Sequence, residues 1–147
     1  MIPALRADGM LPPGIHAADD WNEVQTRFGG NRRRNALLQK LRAGLENLRD
    51  AGCPFVLIDG SFATSKAQPQ DVDGCWEWTP GMDLAVLDVA FVRLTPADRQ
   101  HLKNRYGMDF FIADVIFSGS GEPFSEFFQR DRNGHRRGIV RLELSRL

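Results

Sequence analysis

Four residues of the sequence have the types and spacing needed to handle phosphate and a hard metal ion. Gly60-Ser61 follows directly on the apolar run Pro54-Phe-Val-Leu-Ile-Asp59, and nine residues separate Ser61 from Asp71-Val72-Asp73. An apolar run of that length reads as an interior strand. It delivers the chain to Gly60, where the missing β-carbon permits a sharp turn and close approach of a ligand. Ser61 and the amides after it would then face outward at the start of a short helix, a position that suits phosphate. Asp71 and Asp73 lie two apart on a second expected strand, so their side chains emerge on one face, roughly 7 Å apart at the backbone. Two such carboxylates can converge on one or two cations, and oxygen ligands suit magnesium, which fills its shell with water and substrate phosphates. A phosphate-binding turn beside paired acids is a coherent unit for phosphoryl or nucleotidyl transfer.

A third acid would complete such a centre. Asp114 is the first candidate, because it stands between Ala113 and Val115 in an apolar stretch, where an unpaired carboxylate is costly. A metal shared with Asp71 and Asp73 would remove that cost; an arginine partner, or a shorter strand, would do so equally. Asp109 and Asp88 come next. Lys66, in the loop between the two motif halves, is placed to neutralise a phosphate. Base stacking is open to Trp76 or Trp78, depending on whether Gly74 introduces a bulge.

Other chemistries are excluded by spacing. A calcium loop built on Asp71-Val-Asp-Gly74 would put its first ligand on Pro69, and its distal glutamate is out of register. His16, His101 and His135 form no metal-binding pattern. Gly119-Ser120-Gly121 lacks the glycine two residues before the serine that a nucleophile elbow requires. Cys53 and Cys75 have neither a disulfide framework nor metal-ligand spacing, and read as small reduced core residues.

The elements that must position these residues follow from local patterns. Residues 1–20, with Leu11-Pro12-Pro13-Gly14, are expected to form an extended lead-in rather than a packed element. Leu37, Leu38, Leu41, Leu45 and Leu48 recur at helical spacing, with Asn31 as N-cap and Gly52 as the stop. The segment 71–78 alternates as a strand, and 82–94 is ambiguous between helix and strand. Thr95-Pro96-Ala97-Asp98 starts a helix that Gly107 ends after Tyr106. Strands are expected at 109–117 and 137–144, a short helix at 123–129 and a turn at 131–134. The result is a single α/β (α+β) domain over 1–147, with a mixed sheet of about four to five strands and helices packed against it.

With 147 residues, 42% hydrophobic and 26% charged, the composition is that of one globular domain. Nineteen basic residues balance nineteen acidic ones, so any attraction to nucleic acid must come from a local patch. Two arginine groups qualify: Arg32-Arg33-Arg34 at a helix start, which hints at an anionic partner, and Arg130, Arg132, Arg136, Arg137 and Arg141 near the C-terminus, which could bind triphosphate, RNA or an acidic protein. Solvation alone also accounts for both. No apolar run approaches the roughly 20 residues that span a bilayer. The first sixteen residues lack the character of a secretory signal, and the expected compartment is the cytoplasm.

Gly-Ser, a spacer and Asp-hydrophobic-Asp resembles the signature of the polymerase-beta nucleotidyltransferase superfamily, and most closely its minimal bacterial and archaeal members. The whole chain is also similar to a small bacterial group of nucleotidyltransferase-like proteins, through Leu11-Pro-Pro-Gly-Ile-His16, Asp59-Gly-Ser-Phe62 with Thr64 and Lys66, Phe128-Gln-x-Asp-Arg132 and Gly138-Ile-Val140. The resemblance implies a nucleotidyltransferase-like fold in which Gly60 and Ser61 hold a nucleoside triphosphate such as ATP. Asp71 and Asp73 would hold two Mg2+ ions, with a third acid, here Asp114, assisting as ligand or general base. The implied reaction is transfer of a nucleoside monophosphate to a hydroxyl of a protein or a tRNA, in a toxin–antitoxin or defence pair. From another class, the chain would be a non-catalytic antitoxin or adaptor that keeps the fold and binds a protein or RNA partner through its basic C-terminal segment.

Overall fold

The computed structural model describes residues 1–114, 123–127, 129, 130 and 133–147. It is an α+β fold built on one mixed five-stranded sheet. The strands are β1 (Gly14–Ala17), β2 (Phe55–Asp59), β3 (Val72–Trp76), β4 (Met108–Ile112) and β5 (Gly138–Glu143), in the order β1-β5-β2-β3-β4. The central pairs, β2 with β3 and β2 with β5, are antiparallel, and the outer pairs, β1 with β5 and β3 with β4, are parallel. The helices are α1 (Trp21–Phe28), α2 (Arg32–Asp50), α3 (Ala90–Arg93), α4 (Pro96–Tyr106) and α5 (Phe124–Phe127). Among the described residues, no helix is long and apolar enough to cross a membrane.

Alternation along the strands divides the sheet into two unlike faces. Val56, Ile58, Val72, Trp76, Met108, Phe110, Val140 and Leu142 point into the main core, beneath the buried leucines of α2 and Trp21, Val24 and Phe28 of α1. The other face carries a much smaller apolar cluster of Leu57, Cys75, Ala113 and Ile139. Towards one end of that face the apolar residues give way to acids.

Two helices begin and end where their terminal residues dictate. The Asn31 side chain accepts from the Arg34 N–H and caps α2. Thr95 and Asp98 form a reciprocal capping box on α4, with Pro96 in its first turn and Gly107 closing it at φ 64°. The ambiguous segment 82–94 is mostly turn, with α3 at its end.

Three expectations need correction. The N-terminal residues are packed: Ile2 and Leu11 are buried, and Gly14–Ala17 forms edge strand β1 in register with Gly138–Arg141. Its partner lies far along the chain, so no local periodicity announced it. The helix α1 was likewise unmarked, because it is short and follows the turn-rich lead-in. Gly74 makes no bulge, since it pairs with Ile58 on one side and Phe110 on the other. A β-carbon there would stand 2.2 Å from the Leu57 carbonyl oxygen and 2.8 Å from the Phe110 ring, so the glycine makes room for a core aromatic. Trp76 is fully buried and donates its indole N–H to the Phe91 carbonyl, whereas Trp78 is exposed.

Candidate functional site

Register alone assembles a row of carboxylates. Asp59, the last residue of β2, pairs with Asp73 on β3, and Asp73 pairs with Asp109 on β4. All three therefore share the sparsely covered face at one end of the sheet. Asp71, two residues before Asp73, joins them. Asp71, Asp73 and Asp109 each offer an oxygen, and these atoms lie within 4.8 Å of one another. Among the described residues, this is the one group of acids, histidines or cysteines compact enough to hold a metal ion.

The electrostatics fit a hard cation. Burial, reinforced by Asp71 and Asp109, pushes the Asp73 carboxyl up to about 7. Burial and then Asp109 raise Asp71, against the pull of Lys103, Arg33 and Arg99. Crowded, partly desolvated carboxylates resist ionising together, and a divalent ion relieves that repulsion. Asp109 accepts three bonds from the Arg99 fork, at 3.1 to 3.3 Å. Lys103 reaches both Asp71 and Asp109 at 3.8 and 3.7 Å. A carboxylate has about four lone-pair sites, so the arginine does not exhaust Asp109 as a ligand.

Gly60 is fitted against this cluster. Its φ is +70°, and a β-carbon on it would lie 2.2 Å from Asp73 Oδ2. Gly60 and Ser61 begin a four-residue 3-10 turn, Gly60–Ala63. A turn this short carries little dipole, so its contribution to anion binding is limited to its amides.

The arginines at the start of α2 set the position of the turn and the loop that follows. Arg34 is buried and donates to the carbonyls of Phe28, Ser61, Phe62, Thr64 and Lys66, with its guanidinium over the Phe62 ring. Arg33 donates to the carbonyls of Pro69, at 2.8 Å, and Gln70. Asn31 adds a bond to the Ala67 carbonyl. This triplet, read from sequence as a solvated or anion-seeking group, instead clamps the loop between the two halves of the motif.

Asp114 is not part of the cluster. The strand ends at Ile112, and Asp114 stands exposed in the following turn, five residues along from Asp109. It neighbours Glu77 and lines a separate apolar recess of about 360 Å3 with Trp76, Trp78 and Leu84. The supposed cost of burying it does not arise, and Asp109 takes the third position. Asp88 is engaged elsewhere, accepting from His101 and the Tyr106 hydroxyl. The Lys66 side chain is exposed; the cations acting on the acids are Arg33, Arg99, Lys103 and Arg137. Sequence reasoning missed Asp59 as a member of the site, and named Arg137 only within the basic C-terminal group, without placing it beside the acids. Asp59 is fully buried at the end of β2, and Arg137 Nη2 stands 3.7 Å from its Oδ1. The signal available was an acid ending an otherwise apolar strand. Arg132, residues 115–117 of the strand expected over 109–117, and Gly119-Ser120-Gly121 lie outside the described residues.

A groove of about 530 Å3 opens beside Asp71, between α2 and α4, lined by Arg33, Lys40, Gln70, Gln100 and Lys103 among others. It gives the acid cluster a polar, cationic approach.

Neither the curated proteins nor the solved structures contain a significant match to the chain. One family model does match, across residues 3–143, and its description is a family of unknown function, DUF6932. That match spans the whole sheet and every residue of the acid cluster, so the chain belongs to the DUF6932 family.

Proposed function

We propose that this protein is a metal-dependent nucleotidyltransferase of the cytoplasm, moving a nucleoside monophosphate from a nucleoside triphosphate to a hydroxyl on a protein or RNA acceptor. The observation that carries the reading is the meeting of Asp71, Asp73 and Asp109 within 4.8 Å, directly against the Gly60-Ser61 turn. The three carboxylates would hold one or two Mg2+ ions. When bound, the ions would supply Lewis-acid polarisation of the α-phosphate and neutralise charge on the departing pyrophosphate. The chain's own residues position the reactants. Gly60 lets the turn pack directly against the Asp73 carboxylate, and the Arg33 and Arg34 clamp fixes the loop leading to Asp71. The acceptor oxygen bonds to the α-phosphorus as the bond to the β-phosphate bridge breaks. The hydroxyl proton passes to a carboxylate of the cluster. Positioning and charge neutralisation provide most of the acceleration.

The experiment is incubation with labelled ATP, CTP, GTP or UTP, Mg2+ and cell lysate, followed by a search for labelled RNA or protein. Asp73→Asn should reduce transfer by about a thousandfold or more, equivalent to several kcal/mol of transition-state stabilisation, with the fold intact. Near-full activity in that variant would overturn the assignment. No transfer with any nucleotide, with a partner protein co-purifying, would favour a non-catalytic adaptor of a toxin–antitoxin pair.

A further inference from the structure

Two charged groups beside the acid cluster are buried without completing their hydrogen bonds. Asp59 is wholly inaccessible, and neither of its carboxylate oxygens has a hydrogen-bond partner. The Nε of Arg137 is buried and also has none. The two side chains are neighbours at 3.7 Å, outside hydrogen-bond range, where a closed pair would sit at about 2.8 Å. Leaving such groups unsatisfied costs a fold far more than leaving them in water. Of the two, only the guanidinium has protons to offer, so a partner from outside the pair would be an acceptor on Arg137.

The sheet register indicates where that partner would lie. β2 and β5 pair as Phe55 with Glu143 through Ile58 with Val140. Extending that antiparallel register by one residue brings Asp59 level with Ile139, and at Gly60 the chain leaves the strand for the 3-10 turn. Arg137 is two residues from Ile139, which belongs to the apolar cluster of the acid-bearing face, so it rises on that same face. The row across the end of the sheet therefore reads Arg137, Asp59, Asp73, Asp109, with Arg99 and Lys103 closing its far side. The field of Arg137 acts on both Asp59 and Asp73. Its side chain retains 15% exposure, enough for the guanidinium edge to meet a ligand. A planar fork of donors suits phosphate oxygens.

We infer that Arg137 is the anion-binding arm of this site, taking the phosphate chain of a nucleoside triphosphate, with Asp59 as the buried carboxyl that positions it. The nature of the anion rests on the transferase reading; the anion site itself rests on the partly exposed guanidinium of Arg137, held 3.7 Å from Asp59 at the edge of the acid cluster. Asp59 acts only through Arg137 and touches no substrate.

The test is titration of the full chain, in Mg2+, with α,β-methylene-ATP, which cannot undergo transfer, and separately with inorganic tripolyphosphate. Arg137→Gln should weaken both at least thirtyfold, and Arg137→Lys, which keeps the charge without the fork, by about tenfold. The melting shift caused by Mg2+ alone should survive in both variants. In an Asp59→Asn background, Arg137→Gln should cost no more than a third of its usual loss in affinity, since the pair acts as a unit. A pair that merely ties β5 to β2 would couple in melting temperature and leave affinity alone. Analogue binding within twofold of wild type in Arg137→Gln overturns the inference; if the glutamine variant fails to fold, the same result in Arg137→Lys overturns it. Additive losses of affinity overturn the role of Asp59. Tripolyphosphate binding that depends on Arg137, without transfer to any acceptor, would leave the anion site standing and remove the transferase reading. Binding of neither ligand by the wild type would remove both.

Discussion

The choice between Asp109 and Asp114 turns on where a strand stops. Both acids occupy Asp109-Phe-Phe-Ile-Ala-Asp114, and sequence pattern alone extends the strand through both. The apolar neighbours of Asp114 suggested burial, yet the strand ends at Ile112 and leaves it exposed. Asp109 sits at the strand's start, where parallel pairing with β3 sets it beside Asp73. Pairing register is a non-local property, so it was not legible in the residues flanking either acid. The Asp-x-Asp pair and Gly60, by contrast, were legible, because a two-residue period and a glycine turn are local signals. With Asp109 as the third ligand, Asp109→Asn should lower transfer by about a thousandfold, as loss of a metal ligand does. Asp114→Asn should stay within about threefold of wild type. Steady-state rates with the preferred nucleotide distinguish them; equal losses would return Asp114 to the site.

At the scale of elements, the start of α2 has an unexpected task. Three arginines at a helix N-terminus oppose the helix dipole, and composition offered only solvation or an anionic partner as their reason. Arg34 instead satisfies backbone carbonyls across the 61–66 segment, and Arg33 those of Pro69 and Gln70. The clamp ties the longest helix to the loop that spaces Ser61 from Asp71. Arg34→Met would leave several buried carbonyls without donors. It should cost about 3 kcal/mol, lowering the melting temperature by roughly 6–12 °C for a chain of this size. It should also expose 64–70 to limited proteolysis. Arg32→Met, at an exposed neighbouring position, is the control and should change neither. The capping signals of α2 and α4 were plain in sequence because caps are written in consecutive residues. Strand β1 was not, because its partner lies more than a hundred residues away.

For the molecule as a whole, the carboxylates divide into two groups with opposite effects on stability. Arg93 and Thr95 hold Asp98 well below the usual carboxylate range. Its contribution is therefore present above the unfolded value of about 3.9 and is lost as pH falls. Asp59, Asp71 and Asp73 are raised, chiefly by burial. The folded state then binds more protons than the unfolded one, and the stability linked to Asp73 is lost as pH rises from about 4 to about 7. A divalent cation bound there would replace those protons, so its affinity and its stabilising effect should grow over the same interval. The direct measurement is thermal unfolding at pH 5 and pH 8, with and without Mg2+, for wild type and Asp73→Asn. At pH 8, Mg2+ at a hundred times its dissociation constant should stabilise the wild type by about 2.7 kcal/mol, or roughly 5–10 °C, and by much less at pH 5. Asp73→Asn should melt higher than wild type without metal at pH 8 and respond little to Mg2+. A wild type indifferent to Mg2+ at pH 8, or an Asp73→Asn variant with the same response, would contradict a metal centre built on these three acids.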